Sequence, residues 1–175
     1  MSATKFLFLL AIWQLYFVPA VFAQTAFPVN PGGKWGAVDS TGKTVVIPAY
    51  DFLSEFNEQG LAIFRKDGKF GLLNASGHEI VPARYQKLQG FASSDLVAFW
   101  QNGKCGIMDS KGKELLPAKW QFVSPLNQQL LLLFDSGLYG VAQTDGQVVL
   151  SPQYEQINQF GALLATTISK NSKQG

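Results

Sequence analysis

Cysteine and histidine each occur once in these 175 residues, as Cys105 and His78. A single cysteine excludes an internal disulfide, so stability must come from packing. One histidine cannot supply a typical zinc site, and no acidic cluster stands beside it in sequence. Charge is scarce as well: Asp, Glu, Lys and Arg make up 15% of the chain, and the formal net charge is +2. There is no basic cluster and no acidic tail, which argues against nucleic acid or an anionic membrane surface as a partner. Beyond the leader no convincing helix appears; prolines and evenly spaced short apolar runs point to strands. What the chain has instead is glycine, aromatics and β-branched residues, a composition that suits a tight β fold.

The N-terminus reads as a leader. Lys5 precedes an apolar run over 6–17, followed by Pro19 and the small-residue exit Val21-Phe22-Ala23 before Gln24. A basic start, a short apolar core and alanine at the cut mark a secretory signal peptide over 1–23. The rival reading is an uncleaved anchor, since 6–23 is 18 residues, the lower limit of a span. Cleavage would leave 152 residues, enough for one domain with a real core, and loss of Lys5 would lower the formal charge to +1. No lipid-attachment cysteine lies near the cut. The expected localisation is therefore periplasmic or extracellular.

One pattern dominates the chain beyond the leader. A glycine preceded by an aromatic, or a stand-in, returns as Trp35-Gly36, Phe70-Gly71, Cys105-Gly106 and Tyr139-Gly140, at steps of 35, 35 and 34. A fixed period of this length marks a repeat architecture, in which each unit buries its apolar face against its neighbours. The units run over 33–67, 68–102, 103–136 and 137–168, after a linker at 24–32 and before a polar tail at 169–175.

Each unit divides into three strands. Strand A carries the glycine, at 34–39, 69–74, 104–109 and 138–143. A turn follows with Asp or Asn first and glycine fourth: Asp39 to Gly42, Asn74 to Gly77, Asp109 to Gly112. The fourth copy keeps Gly146 but opens on Gln143. This is type I turn chemistry, with glycine taking the positive φ that closes the hairpin. Strand B is apolar and is expected to end at Pro48, Pro82, Pro117 and Pro152, because proline cannot donate to a ladder. An aromatic follows at Tyr50, Tyr85, Trp120 and Tyr154, and another at Phe56, Phe91 and Phe160, with Leu126 in the third unit. These are expected in the connecting loop, plugging the gap between units.

Strand C, at 61–66, 96–101, 131–135 and 163–168, closes the unit. It turns into the next strand A through Asp67-Gly68, Asn102-Gly103 or Ser136-Gly137, a strong two-residue hairpin signal. The hairpin sets Lys66 opposite Lys69, Phe64 opposite Gly71, Phe99 opposite Gly106, Trp100 opposite Cys105, Phe134 opposite Tyr139 and Leu133 opposite Gly140. Two glycines thus lie beneath phenylalanine rings. Cys105 against Trp100 reads as a volume exchange. Strand A is apolar on both faces, as the buried central strand of a three-stranded meander should be.

Taken together, Gly33-Lys34-Trp35-Gly36, Asp39, Gly42-Lys43, Ile47-Pro48 and Tyr50-Asp51 resemble the WG-repeat family of bacterial tandem β repeats. Later copies depart, with Phe70, Cys105 and Tyr139 in place of tryptophan. The resemblance covers about 31–168. It implies a β-rich interaction scaffold and no shared reaction or catalytic residues.

Candidate chemical sites compete with plain structural readings. Gly42-Lys43-Thr44 has the letters that end a phosphate-binding loop, but the glycine needed five residues earlier is Ala37, and the segment runs into a strand. His78 follows a turn glycine and reads as solvated. Cys105 reads as packed filler rather than a nucleophile. Asp39, Asn74 and Asp109 recur at one position, yet each turn offers one side-chain oxygen donor group where calcium needs several. Asn74-Ala75-Ser76 is a glycosylation sequon by its letters alone. Tyr50, Tyr85, Trp120 and Tyr154 are the candidate ligand-contact residues, as a sugar-stacking row, although packing between units is the preferred reading. No catalytic residue, cofactor or metal is expected.

The expected fold is all-β, four tandem repeats in an open solenoid or a closed propeller-like ring. A ring would pair 163–168 with the first strand A. The expected function is a non-enzymatic module binding a protein partner. The alternative is a glycan or envelope-polymer binder using the loop aromatics.

Overall fold

The computed structural model describes residues 26–91 and 94–157. The leader, Phe160, the strand expected at 163–168 and the polar tail lie outside these residues. Among the described residues there is no helix, and fifteen strands form four antiparallel sheets. The first holds β1 (Phe27–Val29), β2 (Trp35–Val38) and β3 (Thr44–Tyr50). The second holds β4 (Phe52–Leu53), β5 (Leu61–Lys66), β6 (Lys69–Asn74) and β7 (Glu79–Tyr85). The third holds β8 (Lys87–Gly90), β9 (Leu96–Gln101), β10 (Lys104–Asp109) and β11 (Glu114–Trp120). The fourth holds β12 (Phe122–Pro125), β13 (Leu130–Asp135), β14 (Leu138–Gln143) and β15 (Val148–Tyr154). Within each sheet the strands pair in chain order.

The hairpins that join strand C to strand A form as expected. Asp67-Gly68, Asn102-Gly103 and Ser136-Gly137 all take positive φ at both positions, between 51° and 81°, the type I′ geometry that matches strand twist. The register follows from these turns: Phe64 pairs with Gly71, Phe99 with Gly106, Trp100 with Cys105 and Leu133 with Gly140.

Three expectations are corrected. Three of the four sheets have four strands rather than three: a short edge strand, β4, β8 or β12, follows each of the first three strands B and pairs with strand C. Each full sheet therefore straddles two sequence units. Strand B does not stop at its proline, but runs on to Tyr50, Tyr85, Trp120 and Tyr154. It can do so because it bulges there. Between the pairs Trp35↔Tyr50 and Ala37↔Val46, strand B carries more residues than strand A, and the proline sits in the excess, where no ladder donor is missed. Finally, the segment expected as a linker contains β1, which pairs with β2 through Phe27↔Val38. β2 is thus flanked on both sides, and the edge a ring closure by 163–168 would use is taken. Among the described residues no pairing joins the first sheet to the fourth, so the described array is open.

The sheets stack face to face in chain order through three apolar layers. Ala37, Val46 and Tyr50 of the first sheet meet Leu53, Ala62, Phe64 and Leu73 of the second. The other face of the second sheet, through Leu72, Val81 and Tyr85, meets Leu88, Val97, Phe99 and Met108. The third and fourth sheets meet through Ile107, Leu116, Trp120, Val123, Leu131 and Leu133. Alternating residues of the central strands thus serve two layers, which is why strand A is apolar on both faces.

Candidate interaction surface

The recurrent glycine sits where the packing leaves no room for a side chain. A Cβ on Gly71 would strike the Phe64 ring and stand 2.5 Å from the Val81 carbonyl oxygen. On Gly106 it would stand 2.5 Å from Phe99 Cζ and 2.7 Å from the Leu116 oxygen. On Gly36 it would meet Pro48 N at 2.7 Å, and on Gly140 Pro152 N at 2.7 Å. The bulged strand B folds its backbone over the glycine, and where a phenylalanine faces it the ring fills the remaining space.

That ring is held from the other side by the aromatic that ends the preceding strand B. Tyr50 and Phe64 lie 4.6 Å apart between ring centroids, and Tyr85 and Phe99 4.7 Å. Tyr50, Tyr85 and Trp120 are accordingly only 7%, 1% and 7% exposed, and Tyr154 is half-buried. The row proposed for ligand contact is therefore mostly closed: three of its four rings are spent between sheets. The hydroxyls join the units too. Tyr50 donates to Glu79 at 3.1 Å and Tyr85 to Glu114 at 3.0 Å, each acceptor opening the next strand B. Burial first, then the adjacent carboxylate, pushes the Tyr50 phenol up to about 12.

At the third joint the series changes as a set. Trp120 replaces tyrosine, and the ring it would face is Leu133. Its neighbour on strand A is Cys105, where the other sheets place Trp35, Phe70 or Tyr139. The large indole is offset by two smaller partners. The exchange expected between Cys105 and Trp100 is thus only part of the compensation, since Cys105 pairs with Trp100 on one side and Trp120 on the other. Cys105 is fully buried, and burial raises its thiol to about 11, far from thiolate at neutral pH. His78 is exposed, so the two do not form a nucleophile–base pair. The glutamate of the ladder is lost at the same joint: Val148 opens β15, and the Trp120 indole N–H is buried with no hydrogen-bond partner.

The turn carboxylates are committed locally. Asp39 Oδ1 accepts from the Thr41 amide at 2.9 Å, the Thr41 hydroxyl at 2.6 Å and the Lys43 amide at 3.1 Å. The Asn74 amide oxygen does the same for Ser76 and His78, and Asp109 for Lys111 and Lys113. No group of three or more acidic, histidine or cysteine side chains is placed to hold a metal among the described residues.

A further periodic row escaped the reading of the sequence. Asp51, Gln86 and Gln121 each follow the aromatic that ends strand B, at a step of 35. Each reaches the next type I′ turn: Asp51 accepts from the Asp67 amide, Gln86 from Gly103 and Gln121 from Ser136, at 2.9 to 3.0 Å. The regular spacing was the available signal; the mixture of Asp and Gln hid it. Gln121 therefore pins a turn.

Open surface lies elsewhere, where successive sheets diverge beside the turns that enter strand C. Between the second and third sheets a groove of about 250 Å³ is lined by Ser54, Glu55, Asn57, Leu61, Ile63, Leu72, Gly90, Phe91 and Val97. Between the third and fourth, a wider one of about 590 Å³ is lined by Ser94, Asp95, Leu96, Pro125, Asn127, Gln128 and Thr144. Each has an apolar side, a single carboxylate and no basic lining residue. Asn57 and Asn127 shape the two rims alike, each accepting two backbone amides in its own turn. Phe52 and Phe122, which open β4 and β12, are about 40% exposed nearby, while their counterpart Lys87 lies over the Trp100 ring.

Family comparison agrees with this geometry. The WG-containing repeat pattern matches residues 35–70, 70–105 and 139–161, more than half of the chain. The chain belongs to the WG-repeat family. The stretch left unmatched begins at the Cys105 unit, where the leading aromatic is missing, yet its sheet is built like the others. No curated protein matches the chain.

Proposed function

We propose that this WG-repeat chain is an exported, non-enzymatic scaffold that binds a protein partner along the grooves between its sheets. The observation that carries this reading is the paired construction of the two grooves: a partly apolar wall, one carboxylate, and the same asparagine-shaped rim at successive joints. Such a surface suits an extended segment with alternating apolar side chains and a basic residue, engaged at more than one joint. The burial of Tyr50, Tyr85 and Trp120 supports this reading over a glycan stacked on that row. Export rests on the leader pattern ending at Ala23. Among the described residues no helix is long and apolar enough to cross a membrane.

The test is capture from envelope extract and culture fluid with the wild-type chain and with the charge-reversed pair Glu55→Lys and Asp95→Lys, both at exposed positions. A protein retained by wild type and lost with the reversed pair is the expected result. Retention of polysaccharide alone, or a protein held equally by both chains, would overturn the groove assignment. N-terminal mass analysis of the exported chain should begin at Gln24; an intact Met1 in the membrane fraction would contradict export with cleavage.

A further inference from the structure

Of the asparagines in the chain, only Asn102 is followed by glycine. That pair offers the least steric resistance to attack by a main-chain nitrogen on the preceding side-chain amide, because glycine has no Cβ. Asn57, Asn74 and Asn127 are held in their own turns, where their side-chain oxygens each accept backbone amides. Asn102 and Gly103 are both exposed, at the tip of the β9–β10 hairpin.

The three type I′ turns are pinned by the residue that follows strand B, but not on the same atom. Asp51 takes the amide of Asp67, and Gln121 the amide of Ser136, the first residue of each turn. Gln86 instead takes the amide of Gly103, the second residue, at 2.9 Å. The Gly103 nitrogen is the atom that would close a ring on the Asn102 side chain. Gln86 is itself fixed in front of the hairpin. Its own amide donates to the Trp100 carbonyl at 2.9 Å, and Lys87 beside it pairs with Trp100 in the ladder.

We infer that Asn102 is a deamidation site and that Gln86 holds the reaction back by occupying the Gly103 N–H. The reaction needs only water and hydroxide. Hydroxide removes the Gly103 amide proton, and the nitrogen attacks Asn102 Cγ. The N–Cγ bond forms as the Cγ–Nδ2 bond breaks, and Nδ2 takes a proton from water and leaves as ammonia. Water then opens the cyclic imide at either carbonyl, leaving aspartate or isoaspartate at position 102. An N–H engaged by Gln86 Oε1 is harder to deprotonate, since the bond stabilises the neutral amide, and attack on Cγ must break that bond. The two products differ in consequence. Aspartate suits this turn, because Asp67-Gly68 forms it with φ 51° and 73°, against 52° and 73° for Asn102-Gly103. Isoaspartate adds a methylene to the main chain of the turn that sets Trp100 against Cys105 and Phe99 against Gly106.

Ageing of the full chain in mildly alkaline buffer tests this, with peptide mapping by mass spectrometry and isoaspartate labelling at position 102. In denaturant, Asn102 should convert before any other asparagine. In the folded chain it should convert more slowly, and Gln86→Ala, folded by circular dichroism, should convert about fivefold faster than folded wild type, the worth of one hydrogen bond. Gln86→Glu keeps an acceptor oxygen and should stay at or below the wild-type rate. Amide exchange of the wild type reads the bond directly, whatever the variants do: the Gly103 amide should exchange more slowly than those of Gly68 and Gly137. Equal rates for wild type and Gln86→Ala would overturn the inference. So would acceleration by Gln86→Glu, another asparagine converting first in denaturant, or a Gly103 amide that exchanges as fast as Gly68.

Discussion

Gly71 concentrates the logic of the fold in one residue. It is small because two things already occupy its side-chain space, the Phe64 ring and the Val81 carbonyl of the bulged strand. The ring can turn, but the carbonyl belongs to a backbone braced by the next sheet. Gly71→Val is therefore expected to cost about 3 kcal/mol, at the upper end of overpacking penalties. Thermal or denaturant unfolding would measure it, and an unchanged midpoint would contradict the strand B geometry. Cys105 is the opposite case, a small side chain kept small by Trp120 and Trp100. Cys105→Ala should lower stability by only about 1 kcal/mol and leave partner binding unchanged, because the thiol is neutral filler. Loss of binding in a chain that still unfolds cooperatively would return a chemical role to that thiol. The same residue shows what a one-dimensional reading misses. Trp100 was visible as its partner because a type I′ turn dictates that register. Trp120 was not, because the bulge at Pro117 adds residues between the turn and the contact.

At the scale of the element, legibility follows chain distance. The hairpins from strand C to strand A were readable to the residue, since positive-φ pairs such as Asn102-Gly103 allow one register. The edge strands β4, β8 and β12 were not, being two to four residues long with no alternation to mark them. The grooves were hidden for a related reason: Leu61 and Val97, or Leu96 and Thr144, come together only when two units stack. The A–B turn offers a test at this scale. Its three donors, the Thr41 hydroxyl first, hold the Asp39 carboxyl below its ordinary range. A folded-state value lower than the unfolded one stabilises the native chain above the unfolded value, near pH 4, and that contribution is lost as pH falls through the folded value. Asn74 fills the same place in the second unit with an amide oxygen and the same bonds. Asp39→Asn should therefore fold with nearly unchanged stability at neutral pH and lose less stability than wild type on acidification below pH 4. Thermal midpoints across that range decide it, and parallel pH profiles for the two chains would show that the turn carboxylate is not a source of acid sensitivity.

For the molecule as a whole, the governing fact is that neighbouring sheets are joined by layers of similar design, while the surface between them varies. A frame of this kind couples nearest neighbours and presents one extended face rather than a single deep site. The grooves follow that rule: one is narrow and apolar with Glu55 at its rim, the next wider and more polar with Asp95. Phe52 and Phe122 stand exposed at equivalent positions with Lys87 between them. A partner lying along this face would meet two aromatics separated by a cation, and its affinity would be the sum of modest contributions from several joints. Single changes Phe52→Ala, Glu55→Ala, Asp95→Ala and Phe122→Ala are each expected to weaken binding by about 1 kcal/mol or less, roughly fivefold at most, with no one residue abolishing it. Changes in different grooves should combine additively, because they lie in separate joints. Titration of the captured partner against the single and paired variants would check both statements. One substitution that removes all binding while its neighbours remain neutral would instead place a single concentrated site on the array, and the extended-face reading would fail.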